Sequence, residues 1–138
     1  MYELTPAEMD RLILSAIEAR DQAYAPHSHF YVGAAILLGD GKIIGGCNVE
    51  NASFSLTLCA ERVAAATAVA RGYRQWLGVA VASIGGAMPC GACRQFLAEF
   101  GGDMTVITAD VIDGSREIRR LSQLLPDVFS GSDIPHHA

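Results

Sequence analysis

The chain is expected to be an α/β protein, a three-layer α/β/α sandwich around a mixed five-stranded sheet. Three observations predict this class. Apolar patterns of helical and strand period alternate along the chain, so neither element type dominates. The first two strands are joined by the tight Gly39-Asp40-Gly41 turn, the mark of a β-hairpin. A strand–helix–strand–helix–strand run follows, and such runs fold by right-handed parallel crossovers that place helices on the sheet faces.

The elements follow in order. Thr5-Pro6-Ala7-Glu8 is a capping box with proline at the first helical position. Met9, Leu12, Ile13, Ala16 and Ile17 then repeat at helical spacing, which predicts a helix to about Ala23, closed by Pro26. Phe30 to Leu38 reads as a buried strand and Lys42 to Cys47 as its hairpin partner. A polar loop covers Asn48 to Ser55, and the alanine-rich segment from about Leu58 to Arg71 is helical, with Thr57 as N-cap and Gly72 as the stop. Leu77 to Ile84 is apolar enough for the middle of a sheet. Pro89 opens a helix from Cys90 to Phe100, ended by Gly101-Gly102. Met104 to Ala109 is the fourth strand, a weaker fifth lies near Glu117-Ile118, and a helical turn from Leu121 to Leu125 stops at Pro126.

Composition narrows the function classes. At 138 residues, 51% hydrophobic and 18% charged, the chain has the size and core of one domain, residues 1–138, with 131–138 read as a polar, flexible tail. Without an apolar run near the ~18 residues that span a bilayer, a soluble protein is expected. The acidic residues Glu3, Glu8 and Asp10 are unlike a secretory leader, so a cytoplasmic location is expected. In that reducing compartment the four cysteines are better candidates for metal binding or catalysis than for disulfides. A net charge of −5 and a pI near 5.2 disfavour a nucleic-acid partner, which wants a basic stripe. Arg116, Arg119 and Arg120 do cluster, but Asp110, Asp113 and Glu117 are interspersed among them.

The chemistry-bearing stretches are Cys59-Ala60-Glu61-Arg62 and Pro89-Cys90-Gly91-Ala92-Cys93. Their thiols fall at the starts of two helices, and the i, i+3 spacing puts Cys90 and Cys93 on one face. Helix N-termini favour thiolate over thiol, and three converging thiolates make a zinc site. With three protein ligands the fourth tetrahedral position stays open, as in catalytic zinc, where a bound water can have its pKa lowered to roughly 7. Glu61 is the candidate general base, two residues from a ligand and off the ligand face. Three thiolates leave a net negative charge, which Arg62 can offset by donating hydrogen bonds to sulfur. The competing readings are a structural zinc recruiting Cys47 as fourth ligand and a redox dithiol. Cys47 itself reads as a buried small hydrophobe, and Arg62 equally as a solvated helix residue. His27 and His29 sit in a loop and His136-His137 in the tail, with no metal-ligand spacing among them.

The pattern H-x-E…P-C-x-x-C, with Cys permitted for His, is the known signature of zinc deaminases acting on cytosine or adenine. Cys59-x-Glu61 and Pro89-Cys90-x-x-Cys93 fit its three-cysteine form. Together with "AYAPHSHFYVGAA" (23–35), "GCNVENASFSLTLCAER" (46–62), "PCGACRQFLAEF" (89–100) and "LLPDVFS" (124–130), the chain resembles the small homotetrameric cytidine deaminases of nucleoside salvage, from about residue 20 to 130. The resemblance implies one zinc per chain on Cys59, Cys90 and Cys93, and Glu61 as proton shuttle. It further implies that Asn48 and Glu50 bind the ribose hydroxyls, that Phe30 lines the nucleoside pocket, and that backbone around Ala60 meets the base. Phe129 would close the site of a neighbouring subunit. Against the family's usual pattern, His27 and Phe54 stand for tyrosines and Ser55 for glycine, and Phe54 lacks the phenolic hydroxyl.

The implied reaction is hydrolytic deamination of cytidine and 2′-deoxycytidine to the uridines, with release of ammonia. A small-molecule pyrimidine nucleoside is thus the expected partner, with neither nucleic acid nor membrane. Other aminopyrimidine nucleosides, such as blasticidin S, are a second possibility that the "NVEN" ribose pair disfavours. A non-catalytic zinc-stabilised binding module is a third; it would require a saturated four-ligand site and leave Glu61 without a task.

Overall fold

The protein is described by a computed structural model over residues 2–135. The chain runs α1 (Pro6–Arg20), β1 (Gly33–Leu38), β2 (Ile43–Cys47), α2 (Ala60–Ala70), β3 (Trp76–Ser83), α3 (Gly91–Gly101), β4 (Thr105–Asp110), β5 (Arg116–Arg120) and α4 (Leu121–Leu124), with short 3₁₀ turns at Phe54–Leu56 and Gly131–Asp133. The five strands form one mixed sheet in the order β2-β1-β3-β4-β5. Only β3 and β4 pair in parallel; β1 is antiparallel to both β2 and β3, and β5 to β4. The crossover through α2 therefore passes over β1, and the crossover through α3 joins adjacent strands.

Strand alternation divides the core between the two faces. Ala34, Ile36, Leu38, Val79, Val81 and Val106 pack with Ala60, Ala64, Ala65 and Ala68 of α2 and Leu97 of α3. Ala35, Leu37, Ala80, Ala82, Ile107 and Ala109 point the other way and meet Leu4, Leu12, Ile13 and Ala16. Each fully buried Leu, Ile or Val contributes about 1.5–3 kcal/mol relative to exposure. The alanines of α2 contribute less area but let that helix lie close to the sheet.

The capping box forms as expected: the Glu8 amide donates to Thr5 Oγ1 at 3.1 Å and the Thr5 amide to Glu8 Oε1 at 2.9 Å. Several boundaries differ from expectation for a common reason. The backbone that periodicity assigns to α1, β1 or α2 is committed to holding the loop beside the site. α1 ends at Arg20 rather than near Ala23 because the Tyr24 amide donates to Asn48 O and its carbonyl accepts from the Glu50 amide. β1 starts at Gly33, not Phe30, since the Val32 amide donates to Asn48 Oδ1 and the Phe30 amide to Ser28 Oγ. α2 starts at Ala60, and Cys59, not Thr57, is its N-cap, because Leu58 and Val49 exchange backbone hydrogen bonds. Gly72, at φ 89°, ends α2 as expected, its amide donating to Val69 O.

The fifth strand is longer than its weak sequence signal and forms a charged edge. There Arg116 pairs with Asp10 at 2.9 Å, Arg119 with Glu117 at 2.8 Å and Arg120 with Glu3 at 3.6 Å. The expected loose tail contains the Gly131–Asp133 turn, closed by the Ser130 amide on Asp133 Oδ2. His136 and His137 lie outside the described residues.

Thr108 occupies the centre of β4 beside Val81, and its hydroxyl is buried with no partner among the described residues. A buried hydroxyl without a partner loses hydration for nothing, so the isosteric Thr108→Val is expected to stabilise the fold by about 1 kcal/mol. Urea unfolding of the two proteins measures this; a lower midpoint for the variant would mean that the hydroxyl is satisfied in solution.

Candidate active site

Cys59 and Cys90 are the N-cap residues of α2 and α3, and neither sulfur caps its own helix. Cys93 lies in the first turn of α3 and is buried. The three sulfurs lie within 4.8 Å of one another, with Cys59–Cys90 at 4.0 Å and Cys90–Cys93 at 3.5 Å. Thiolates at tetrahedral angles about 2.3 Å from one zinc ion stand about 3.8 Å apart, so the trio has the span that a zinc requires. Both helices present their N-terminal amides here, a setting that stabilises negative sulfur.

The surrounding charges fit the same ion. Arg62 Nη2 is 3.6 Å from Cys59 Sγ and 3.3 Å from Thr57 O, while its buried Nε has no partner among the described residues. A guanidinium with a spare buried donor is a suitable counter-charge for a three-thiolate site. A hydrogen bond from Cys93 and the neighbouring Arg62 guanidinium lower the Cys59 thiol to about 5. Cys93 is correspondingly pushed up, by its bond to the Cys59 sulfur and by burial. Cys47, the remaining cysteine, is half-buried in β2 and is not part of the cluster, which removes the four-cysteine reading. Cys47→Ser is expected to leave zinc content at the wild-type level, as metal analysis of the purified proteins would report.

Glu61 follows Cys59 by two residues and is 5% exposed. Burial holds its carboxyl above the usual range, and the Cys59 thiolate adds to the effect. It lines a cavity of about 270 Å³ together with Cys59, Ala60 and Cys90, near the lower end of small-molecule site sizes. The same cavity is lined by Phe30, Asn48 and Glu50. Asn48 Nδ2 donates to Phe30 O at 2.7 Å and its Oδ1 accepts from the Val32 amide at 3.0 Å. Glu50 Oε1 accepts from the amides of His27, at 2.9 Å, and Ser28, at 3.1 Å, and its Oε2 from the Ser28 hydroxyl. The Ser28 hydroxyl bond comes first among the causes that hold Glu50 below the usual carboxylate range.

The fold thus brings together the three cysteines, Glu61, Arg62, Phe30, Asn48, Glu50 and Ala60. It does not bring Phe129 to the same cavity. That ring is 59% exposed, and its carbonyl accepts from Gln95 Nε2 at 2.8 Å. His27 and Phe54, two departures from the family pattern, pack edge-to-face with centroids 5.7 Å apart. Ser28, Val81 and Met88 line the cavity without having been singled out in the sequence. Ser28 had one local signal, a hydroxyl two residues before Phe30 in a serine-turn spacing, whereas Val81 and Met88 had none.

A three-cysteine metal site at paired helix N-termini, with a buried carboxylate in the adjoining cavity of an α/β/α sandwich, defines the class of zinc-dependent hydrolases. Residues 7–109 match the family described as cytidine and deoxycytidylate deaminase zinc-binding region. A cytidine deaminase of Sporosarcina psychrophila is 44% identical over 134 residues, covering 95% of this chain and 98% of its own. The 1.6 Å crystal structure of cytidine deaminase from Burkholderia pseudomallei superposes with a TM-score of 0.84 at 44% identity, over 91% of this chain and 100% of that one. That from Mycobacterium tuberculosis gives a TM-score of 0.77 at 41% identity, over 88% and 96%. The chain belongs to the cytidine and deoxycytidylate deaminase family.

Proposed function

We propose that the protein hydrolyses cytidine and 2′-deoxycytidine to uridine and 2′-deoxyuridine, releasing ammonia, with one zinc ion per chain. The observation that carries the reading is the convergence in one cavity of Cys59 and Cys90, buried Glu61, and the polar pair Asn48 and Glu50. When bound by Cys59, Cys90 and Cys93, zinc supplies a Lewis acid that makes hydroxide available from water at neutral pH.

The chain's residues do the rest. Glu61, whose buried carboxylate is held above the usual range and so is a stronger base, accepts the proton of the attacking water and returns protons to ring N3 and to the departing amine. A C4–O bond forms and the C4–N bond breaks, so water is consumed and ammonia leaves. Arg62 offsets the charge of the thiolates. Asn48 and Glu50, an amide and an acceptor-only carboxylate, take the sugar hydroxyls, Phe30 packs against the nucleoside, and the backbone at Ala60 meets the base.

In this reading the chain is one catalytic domain working in the cytoplasm as a homotetramer, with Phe129 closing a neighbouring subunit's site. Support for assembly comes from Phe54, 74% exposed, Leu56, 62%, and Phe129, 59%, large apolar side chains that a subunit interface would bury. Among the described residues no helix is long and apolar enough to cross a membrane.

The test is ultraviolet absorbance on mixing metal-assayed protein with cytidine and, separately, with deoxycytidine. Loss of the cytosine band is expected with both. No change with either, at one zinc per chain, would overturn the assignment in favour of another aminopyrimidine nucleoside.

A further inference from the structure

The Glu50 carboxylate is gripped from one side only, by the segment that leads into β1. Adjacent amides at His27 and Ser28 share Oε1, a nest-like arrangement that holds an anion. Among the described residues Oε2 has a single partner, the Ser28 hydroxyl. A hydroxyl has one proton, and Ser28 gives it to Glu50, which leaves its oxygen to accept the Phe30 amide at 3.0 Å. The relay therefore has a fixed direction, from Phe30 N–H through Ser28 O–H to Glu50.

The same few residues hold Asn48, whose Nδ2 donates to the Phe30 carbonyl. One proton of that amide group and the free lone pairs of Oε2 remain for a ligand, a donor and an acceptor on residues that line one cavity. His29, at φ 56°, turns the chain between Ser28 and Phe30 in the left-handed region that non-glycine residues seldom adopt. The backbone accepts that conformation where it allows the amides of residues 27, 28 and 30 to converge on two acceptors.

We infer that Ser28 is a positioning residue for sugar recognition: its hydroxyl fixes Glu50 Oε2 and the Phe30 backbone, so that Glu50 and Asn48 present a matched acceptor and donor to the nucleoside's sugar hydroxyls. This rests on the nucleoside reading above. Without the hydroxyl, Oε2 is free to swing about the anchored Oε1, and the Phe30 amide loses its acceptor. The damage falls at the sugar end of the cavity, leaving Glu61 and the cysteines as they were.

The test compares wild type, Ser28→Ala and Ser28→Thr, using KM and kcat for cytidine and the inhibition constant of 2′,3′-dideoxycytidine as competitor. Ser28→Ala should raise KM for cytidine about tenfold, the effect of one lost hydrogen bond to a charged group, with kcat little changed. Its inhibition constant for the dideoxy competitor, which lacks the 2′- and 3′-hydroxyls assigned to Glu50 and Asn48, should match wild type. Ser28→Thr, which keeps the hydroxyl, should restore the cytidine KM. Ser28→Cys, with a weaker donor, should give the same selectivity to a smaller degree, and it provides the reading if the alanine variant does not fold. Equal weakening of cytidine and dideoxycytidine, or an unchanged cytidine KM, would overturn the role of Ser28 while leaving the deaminase assignment intact. A wild type that consumes no cytidine would overturn both.

Discussion

Replacing Glu61 by Gln is expected to lower kcat for cytidine about 10²–10⁴-fold, the range lost with a positioned general acid–base, at unchanged zinc content. Gln keeps the shape and hydrogen-bonding reach of Glu but cannot accept a proton from water or return one to the ring. The metal should survive, because the sulfur trio closes on itself within 4.8 Å without a carboxylate. KM should change little, since the ribose contacts are assigned to Asn48 and Glu50 rather than to Glu61. Turnover near wild type would remove Glu61 from the mechanism, and loss of zinc together with turnover would make it a ligand instead. Measuring zinc and kcat on the same preparation separates the three outcomes.

How much of this was legible beforehand can be argued from particular residues. Cys59, Glu61, Cys90 and Cys93 were readable because metal chemistry imposes a short, strict spacing and because helix starts are marked by Pro89 and by the alanine run. The sheet was readable because β1, β3 and β4 are apolar over most of their length. Boundaries at Phe30 and Leu58 were not, since apolar residues there satisfy the strand and helix periods while their backbones bond to Asn48 and Val49. Such pairings are long-range and leave no local pattern. Ser28 was missed for the same reason: its partner, Glu50, is 22 residues away. Phe129 differs, because no single chain contains the surface that the resemblance assigns to it.

Gly46→Ala is expected to be a strongly damaging small substitution outside the cysteine cluster. A Cβ at Gly46 would stand 2.4 Å from Ala64 N and 2.8 Å from Ala60 O, backbone atoms of the first turns of α2. Side chains can rotate away from an intruder, but a helix backbone moves only as a whole. Overpacking of this kind costs about 1–3 kcal/mol, occasionally more, and the rigid neighbour puts Gly46 at the upper end. Gly72→Ala is the comparison. Its φ of 89° is strained for alanine, yet no atom lies within 4 Å of the new Cβ, so the cost is about 1 kcal/mol of backbone conformation alone. Thermal unfolding should therefore rank wild type above Gly72→Ala and both well above Gly46→Ala. Activity should separate the two variants more sharply than stability does. α2 carries Cys59 at its cap and Glu61 in its first turn, so whatever folded Gly46→Ala remains has both displaced from Cys90 and Cys93 on α3. A displacement near 1 Å can cost about 100-fold in rate, whereas Gly72, at the far end of the same helix, leaves the site untouched and should keep wild-type kcat/KM. A folded Gly46→Ala with full activity would mean that α2 can slide on β2 without moving the chemistry, and the close backbone contact at Gly46 would then have no part in placing Glu61.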